Sequence, residues 1–334
     1  MPAVAAKSRV VLIDRPGGPE VLRLEERQVE APREGEVLLR HTAIGVNFID
    51  IQHCSGRYPL PSYPATLGIE AAGVVLDVGA GVQGVRPGQR VVYSFPPVGS
   101  YADLRVVGAE HLVPIPDRVP DDLAAAGFNK GLTAHYLLHT TYPVQPGETI
   151  VVHAAAGGVG SLLCQWASAR GATVIGVVGS EEKVATAASN GCRHVVVNPR
   201  EDLPARVRAL TGGEGVPVVY DSVGRDTFEA SLLCLRPRGT LVSFGTASGP
   251  IPPFDLFRLN TLGSLYVTSP AYVTHTAARP ELLRRAGDFF KALSEGELRV
   301  ALGRVYDLAD AAAAHQDLQA RRTTGASILR PAAS

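Results

Sequence analysis

A chain of 334 residues is long enough for about two domains. With 46% apolar and 19% charged residues it has the material for packed cores and too little charge for a disordered chain. Thirty-two basic residues balance thirty-two acidic ones, so no excess positive charge exists to hold nucleic acid or an anionic membrane by bulk electrostatics; only a local basic patch could do so.

Residues 1–128 read as strand-rich. Apolar runs (Arg9–Ile13, Glu36–His41, Ala71–Val78, Arg90–Tyr93) alternate with turn signals such as Pro16-Gly17-Gly18-Pro19, Pro32-Arg33-Glu34-Gly35 and Pro87-Gly88. Helical periodicity is scarce there. After about Asn129 strand-like and helix-like runs alternate: Glu148–Ala154, Gly160–Arg170, Ala172–Gly179, Glu181–Ser189, His194–Val197, Asp202–Leu210, Val216–Asp221, Thr227–Leu235 and Gly239–Gly245. That alternation predicts βαβ units and a parallel sheet. Beyond about Ser264 the pattern is mixed, with helices near Pro280–Ser294 and Asp310–Ala320 and a last strand at Gly325–Leu329. The expected layout is an α/β domain at 129–268, inserted between segments 1–128 and 269–334 that build the other domain together.

Four cysteines (Cys54, Cys164, Cys192, Cys234) form no CxxC pair and no disulfide-framework spacing. The start of the chain lacks the basic-then-apolar layout of a signal peptide, and no stretch approaches the roughly 20 apolar residues that span a bilayer. A cytoplasmic protein is expected.

The strand Thr149-Ile150-Val151-Val152-His153 runs straight into Ala154-Ala155-Ala156-Gly157-Gly158-Val159-Gly160 and then a helical segment. This is a dinucleotide-binding turn of Rossmann type, with Ala154 at the first glycine position. The turn brings backbone N–H groups and a helix N-terminus to a pyrophosphate, and residues lacking Cβ allow close approach. A lone glycine motif is weak; the strand before, the helix after and the second strand Ala172–Val178 at the proper distance make it specific. An NAD(H) site would place an acid at the end of that second strand, to accept from the ribose 2′-hydroxyl. Gly179 and Ser180 stand there instead, with Glu181, Glu182 and Lys183 just beyond. A small donor and a lysine favour a 2′-phosphate, hence NADP(H); NAD(H) stays open should Glu181 or Glu182 point back at the ribose.

Several runs together resemble one family. They are Asn47-Phe48-Ile49-Asp50, Ser55-Gly56-Arg57-Tyr58-Pro59, Gly68-Ile69-Glu70-Ala71-Ala72-Gly73, Lys130-Gly131-Leu132-Thr133, the His153–Gly160 turn, Tyr220-Asp221-Ser222-Val223-Gly224 and Gly263-Ser264-Leu265-Tyr266-Val267-Thr268. In this order, across nearly the whole chain, they resemble the zinc-independent quinone oxidoreductases (the ζ-crystallin group) of the medium-chain dehydrogenase/reductase superfamily. The resemblance implies a Rossmann-type doubly wound parallel sheet inserted into a strand-rich GroES-like catalytic domain. It also implies NADPH-dependent reduction of quinones, no metal, and a homodimer joined through the dinucleotide domains. By position it places Phe48, Ile49, Asp50, Gln52 and Thr133 near the nicotinamide. Ala156, Gly157, Gly158 and Val159 go to the pyrophosphate, and Gly179, Ser180, Lys183 and Asn198 to the 2′-phosphate end. Ser222, Phe244 and Gly245 join the cofactor site, Arg321 reaches the cofactor from the catalytic domain, and Asn47 and Tyr58 flank the quinone. Two tyrosines often found in the family are missing, one at Gln52 and one in the Asn198-Pro199-Arg200 segment.

Metal-dependent relatives carry a Gly-His-Glu segment; Gly68-Ile69-Glu70 replaces its ligand with isoleucine, and the cysteine cluster of a structural zinc lobe is absent. His135-Tyr136-Leu137-Leu138-His139 has the spacing of a metalloprotease helix without its glutamate, and is read as a polar helix edge. Cys54 has no basic partner to activate it, and Cys54 and Trp166 are read as packing. The rival activities are reduction of activated carbon–carbon double bonds in enals or enones, and a non-catalytic NADPH- or RNA-binding role. Balanced charge argues against RNA.

Overall fold

The computed structural model describes residues 4–95, 97–320 and 322–332. The chain forms two compact units: Met1–Asn129 with Ala278–Ser294 and Val300–Ser334, and Lys130–Ala277 with Glu295–Arg299.

The first unit opens with strands β1 (Val4–Ile13), β2 (Arg23–Glu30) and β3 (Glu36–Gly45), then helix α1 (Phe48–Cys54), then β4 (Ala65–Thr66), β5 (Glu70–Val78), β6 (Arg90–Ser94), β7 (Leu104–Gly108) and β8 (Val113–Pro114). Helix α2 (Asp121–Tyr136) crosses the division between the units at Asn129 and Lys130. The second unit holds β9 (Thr149–His153), α3 (Gly158–Ala169), β10 (Thr173–Val178), α4 (Val184–Ser189), β11 (Cys192–Val197) and α5 (Leu203–Leu210). It continues with β12 (Val216–Asp221), α6 (Phe228–Cys234), β13 (Leu235–Ser243), α7 (Phe257–Thr261), β14 (Tyr266–Thr268) and α8 (Tyr272–Thr276). The chain then returns to the first unit with α9 (Arg279–Ser294), β15 (Leu302–Asp307), α10 (Ala311–Gln319) and β16 (Ala326–Arg330).

In the first unit a three-stranded sheet (β2-β1-β4) accompanies a seven-stranded one in the order β15-β16-β3-β5-β6-β8, with β7 also on β3. β16 pairs antiparallel with β3, Ile328 opposite Gly45, so the two ends of the chain share one sheet and the second unit is an insertion. β3 is buried along most of its length because it is paired by β5, β7 and β16; the core gathers Leu39, Ile44, Ala71, Tyr93, Tyr101 and Leu329. α1 is not visible as a periodicity, being only seven residues long. What starts it is local: Asn47 is its N-cap, in a reciprocal capping box with Asp50.

In the second unit all six strands are parallel, in the order β11-β10-β9-β12-β13-β14. The chain builds outward from β9 in one direction through β10 and β11, then returns to β12 and builds in the other. Because such crossovers are right-handed, this reversal puts α3 and α4 on one face and the packed pair α5 and α6 on the other. β12 is buried at all six residues, as a central strand should be. Pro217 is tolerated in it because its pairing with β13 skips register between Val216 and Val218, where a missing N–H costs no ladder bond.

Two buried histidines tie the first unit's stability to pH. His41 Nδ1 lies 2.7 Å from the Ala102 carbonyl and its Nε2 3.0 Å from the Tyr93 hydroxyl; His315 Nε2 lies 3.0 Å from the Tyr101 hydroxyl. Burial holds each imidazole down at about 4, against an ordinary 6.5. Folding therefore gains from their neutrality fully above pH 6.5, and loses that gain as pH falls from 6.5 towards 4. At about 1.4 kcal/mol per unit, each contributes up to about 3 kcal/mol. Urea unfolding should give a free energy that declines across this window, less steeply in His315→Gln; a flat profile in the wild-type chain would refute the assignment.

Candidate active site

The Gly-rich turn lies between β9 and α3. β9 ends at the buried His153; Ala154 then takes a left-handed conformation (φ 52°) and its carbonyl accepts the Gly157 N–H at 2.7 Å. Gly157 caps α3 without any side-chain bond, so the helix presents its first-turn N–H groups to the turn. At Gly160 a Cβ would lie 2.1 Å from the Ala154 carbonyl oxygen, and at Gly158 one would lie 2.9 Å from Lys130 Cδ. Glycine at 160 lets the helix close on the turn, and glycine at 158 admits the stem of a buried lysine. Unpartnered helix N–H groups, the positive end of a twelve-residue helix and a nearby cation are the features a pyrophosphate needs. The residues present fit a dinucleotide.

The other expected residues of this unit gather at the C-terminal ends of neighbouring strands, beside the point where the strand order reverses. Gly179 and Ser180 follow β10. Gly179 is exposed, with nothing within 4 Å of where a Cβ would be, and Ser180 begins the short turn Glu181–Lys183. Asn198 follows β11 and donates its N–H to the Val178 carbonyl at 2.9 Å, which puts it next to Gly179. Ser222 follows β12, and Phe244 and Gly245 follow β13; Phe244 N–H bonds the Asp221 carbonyl at 2.9 Å, and a Cβ at Gly245 would lie 2.7 Å from Ser222 O. Ala156, Gly157, Gly158 and Val159 are all partly accessible, and Thr133 is buried on α2. Arg200 was not singled out by the sequence. It reaches the same corner, with its guanidinium 3.3 Å from Glu181 Oε1, so Glu181 faces a cation. Lys130 is a second such residue; its signal was present, as one of four lysines and part of a quoted motif.

In the first unit Asn47, Asp50 and Glu70 form one buried cluster. Asn47 Nδ2 donates to Glu70 Oε2 at 2.9 Å and its backbone N–H to Asp50 Oδ2 at 2.8 Å, while the Tyr101 hydroxyl donates to Asp50 Oδ2 at 3.1 Å. Glu70, fully buried, also accepts the Asn129 N–H at 2.5 Å. Asp50 thus serves as cap and anchor. Phe48 and Ile49 are the half-buried members of α1. Gln52 accepts from Arg57 at 3.2 Å, and its carbonyl accepts the Tyr58 N–H at 3.1 Å. Tyr58 is 42% exposed, its ring edge-on to His53. Arg321 lies outside the described residues.

Residues 33–117 match the alcohol dehydrogenase GroES-like domain and residues 158–287 the zinc-binding dehydrogenase model. The chain is 46% identical to a quinone oxidoreductase of Pseudomonas aeruginosa over 315 residues, covering 94% of this chain and 97% of that protein. It belongs to the quinone oxidoreductases of the medium-chain dehydrogenase/reductase superfamily. Among solved structures, the Escherichia coli quinone oxidoreductase complexed with NADPH matches with a TM-score of 0.95 and 44% identity over 98% of this chain and 100% of that one. A 2-haloacrylate reductase of a Burkholderia species is 43% identical over 328 residues, 96% of this chain and 98% of its own.

The name of one matching family model implies zinc, and the residues here do not fit it. Ile69 is fully buried and carries no donor atom, and Glu70 has its oxygens bonded to Asn47 and Asn129. Burial pushes the Cys54 thiol up to about 11, away from the thiolate that binds a metal. Among the described residues no group of three or more His, Cys, Asp or Glu side chains could hold an ion. His135 and His139 stack at 4.2 Å, and His139 Nε2 is engaged by Arg170 at 2.9 Å, which makes them a packed helix edge. Elemental analysis of the purified protein should find no stoichiometric zinc, and chelators should leave activity unchanged. One zinc per chain, lost together with activity, would overturn this.

Proposed function

We propose that the chain is an NADPH:quinone oxidoreductase that needs no metal, with the Lys130–Ala277 unit holding the dinucleotide and the flanking segments the acceptor. One conjunction carries the reading. A turn shaped for a pyrophosphate and a strand end without a carboxylate at 179–180 occur in a chain 44% identical to a quinone oxidoreductase solved with NADPH.

Bound reduced nicotinamide supplies the hydride, and the protein supplies placement and a controlled environment. Ala156, Gly157, Gly158 and Val159 hold the pyrophosphate on the N-terminus of α3, with Lys130 adding charge beside Gly158. Gly179, Ser180, Lys183 and Asn198 take the adenosine end, and Ser222, Phe244 and Gly245 line the path between. Phe48, Ile49, Asp50, Gln52 and Thr133 are assigned to the nicotinamide, and Arg321 to the cofactor. Asn47, held in one orientation by Glu70 and Asp50, and Tyr58, 42% exposed, flank the acceptor and steady the charge that develops on its oxygen. All four cysteines are buried free thiols, which supports a cytoplasmic enzyme. The 43% identity to a 2-haloacrylate reductase favours a second reading, reduction of activated carbon–carbon double bonds. Steady-state NADPH oxidation with a panel of quinones, enones and haloacrylates separates the two.

Lys183 tests the choice of nucleotide. A hydrogen bond to a charged group is worth roughly 1.5–3 kcal/mol, and 1.4 kcal/mol is tenfold in binding. Lys183→Ala should weaken NADPH by roughly ten- to a hundredfold and leave NADH nearly unchanged. Arg200, at the same corner, shifts the expectation towards the lower figure. Equal losses for both nucleotides would mean that Lys183 supports the fold, and no loss for either would leave it a surface charge.

The edge of the parallel sheet supports a homodimer. β14 has a free side, with Tyr266 60% and Val267 40% exposed, and Leu256 and Phe257 nearby in sequence are 74% and 67% exposed. An open, apolar edge strand invites pairing with a second copy. Analytical ultracentrifugation should find a dimer, and Tyr266→Lys, which puts a charge on the exposed edge, should shift it to monomer. A monomeric wild-type chain at micromolar concentration would refute it.

A further inference from the structure

Behind the Gly-rich turn lies a buried polar chain. Asp221, the last residue of β12, is 1% exposed. Its Oδ1 accepts the N–H groups of Val223 at 2.8 Å and Gly224 at 3.1 Å, and the Thr227 hydroxyl donates to both oxygens at 2.9 and 2.8 Å. Oδ2 also accepts the Ser231 hydroxyl at 2.7 Å, and Ser231 Oγ lies 2.9 Å from His153 Nε2. A serine hydroxyl has one hydrogen. Since Ser231 gives its hydrogen to the carboxylate, its oxygen must accept from His153, which therefore carries its proton on Nε2. His153 and Ser231 are buried as deeply as Asp221, and burial pushes the imidazole below its ordinary pKa.

His153 is the residue immediately before Ala154, whose left-handed turn and carbonyl shape the seat of α3. The same aspartate fixes the 221–224 turn, and through its own carbonyl the Phe244 N–H. We propose that Asp221 is a positioning residue for the dinucleotide: through Ser231 and His153 it sets the exit of β9, and with it the phosphate-binding turn. The proposal rests on the reading that this turn binds NADPH. Two short bonds linking three buried groups have one low-energy arrangement, so the turn is preorganised before the nucleotide arrives, and the effect falls on the pyrophosphate that NADPH and NADH share.

Isothermal titration calorimetry of the full-length protein with NADPH and with NADH tests this, alongside ¹⁵N NMR of the histidine rings. Ser231→Ala cuts the link to His153 and leaves the backbone bonds of Asp221. It should weaken both nucleotides alike, by roughly tenfold, with kcat at saturating NADPH within about twofold of wild type. Thr227→Val removes a bond to the same carboxylate but not the link, and should leave both dissociation constants within about twofold while lowering the unfolding midpoint. If Ser231→Ala does not fold, Ser231→Cys, a weaker donor of similar shape, should show the same loss in smaller measure. A wild-type His153 protonated on Nδ1 overturns the proposal whatever the variants do. So does a folded Ser231→Ala or Ser231→Cys that binds both nucleotides as wild type does, or equal losses in Thr227→Val and Ser231→Ala. Failure of the wild-type chain to bind either nucleotide overturns the reading beneath it, and this proposal with it.

Discussion

A carboxylate removed from water must be surrounded by donors or it destabilises the fold that buries it. Asp221 meets that requirement with two backbone N–H groups and two hydroxyls, at the end of the strand where the parallel sheet changes direction. β9 and β12 are the neighbours across that reversal, so their C-terminal ends diverge into different crossovers and leave a crevice. The carboxylate joins the loops on either side of it. The side chain holds the 221–224 turn and, through Ser231, meets the end of β9, while the backbone carbonyl of the same residue holds the start of the loop after β13.

The first unit uses the same device with different residues. Glu70 is also fully buried and holds Asn47, which caps α1, so that the short helix is tied to β5. Asp50 closes the capping box and receives Tyr101 from the strand-rich core. The residue before Glu70 is Ile69, packed and without a donor atom. The site is ordered by hydrogen bonds between the protein's own groups, and the oxygens a cation would need are already in use.

Much of this was legible before the structure. The alternation of strands and helices after Asn129, the glycine turn and its flanking elements are local signals, and β9, α3 and β10 fall within a few residues of where periodicity placed them. α1 was not legible as a helix, because seven residues carry too short a repeat, although its capping pair was present in the sequence. Arg200 was passed over because its importance lies in a neighbour nineteen positions away, Glu181, which only the pairing of β10 with β11 brings near. Asp221 was quoted within a motif with no role attached. The role comes from Ser231 and His153, ten positions after it and 68 before it in the chain.

By itself the sequence determined the parallel sheet, the Gly-rich turn between its strand and helix, the absence of an acid at 179–180 and an isoleucine at 69. Each of these is written in adjacent residues, where backbone geometry and side-chain chemistry act over one turn or one strand. The tertiary structure alone decided which buried carboxylates meet which donors, which hydroxyl faces His153 Nε2, and where the lysine stem beside Gly158 lies. Those are contacts between segments far apart in the chain. A hydrogen bond is set by tenths of an ångström, and no pattern of residue types specifies distance at that scale.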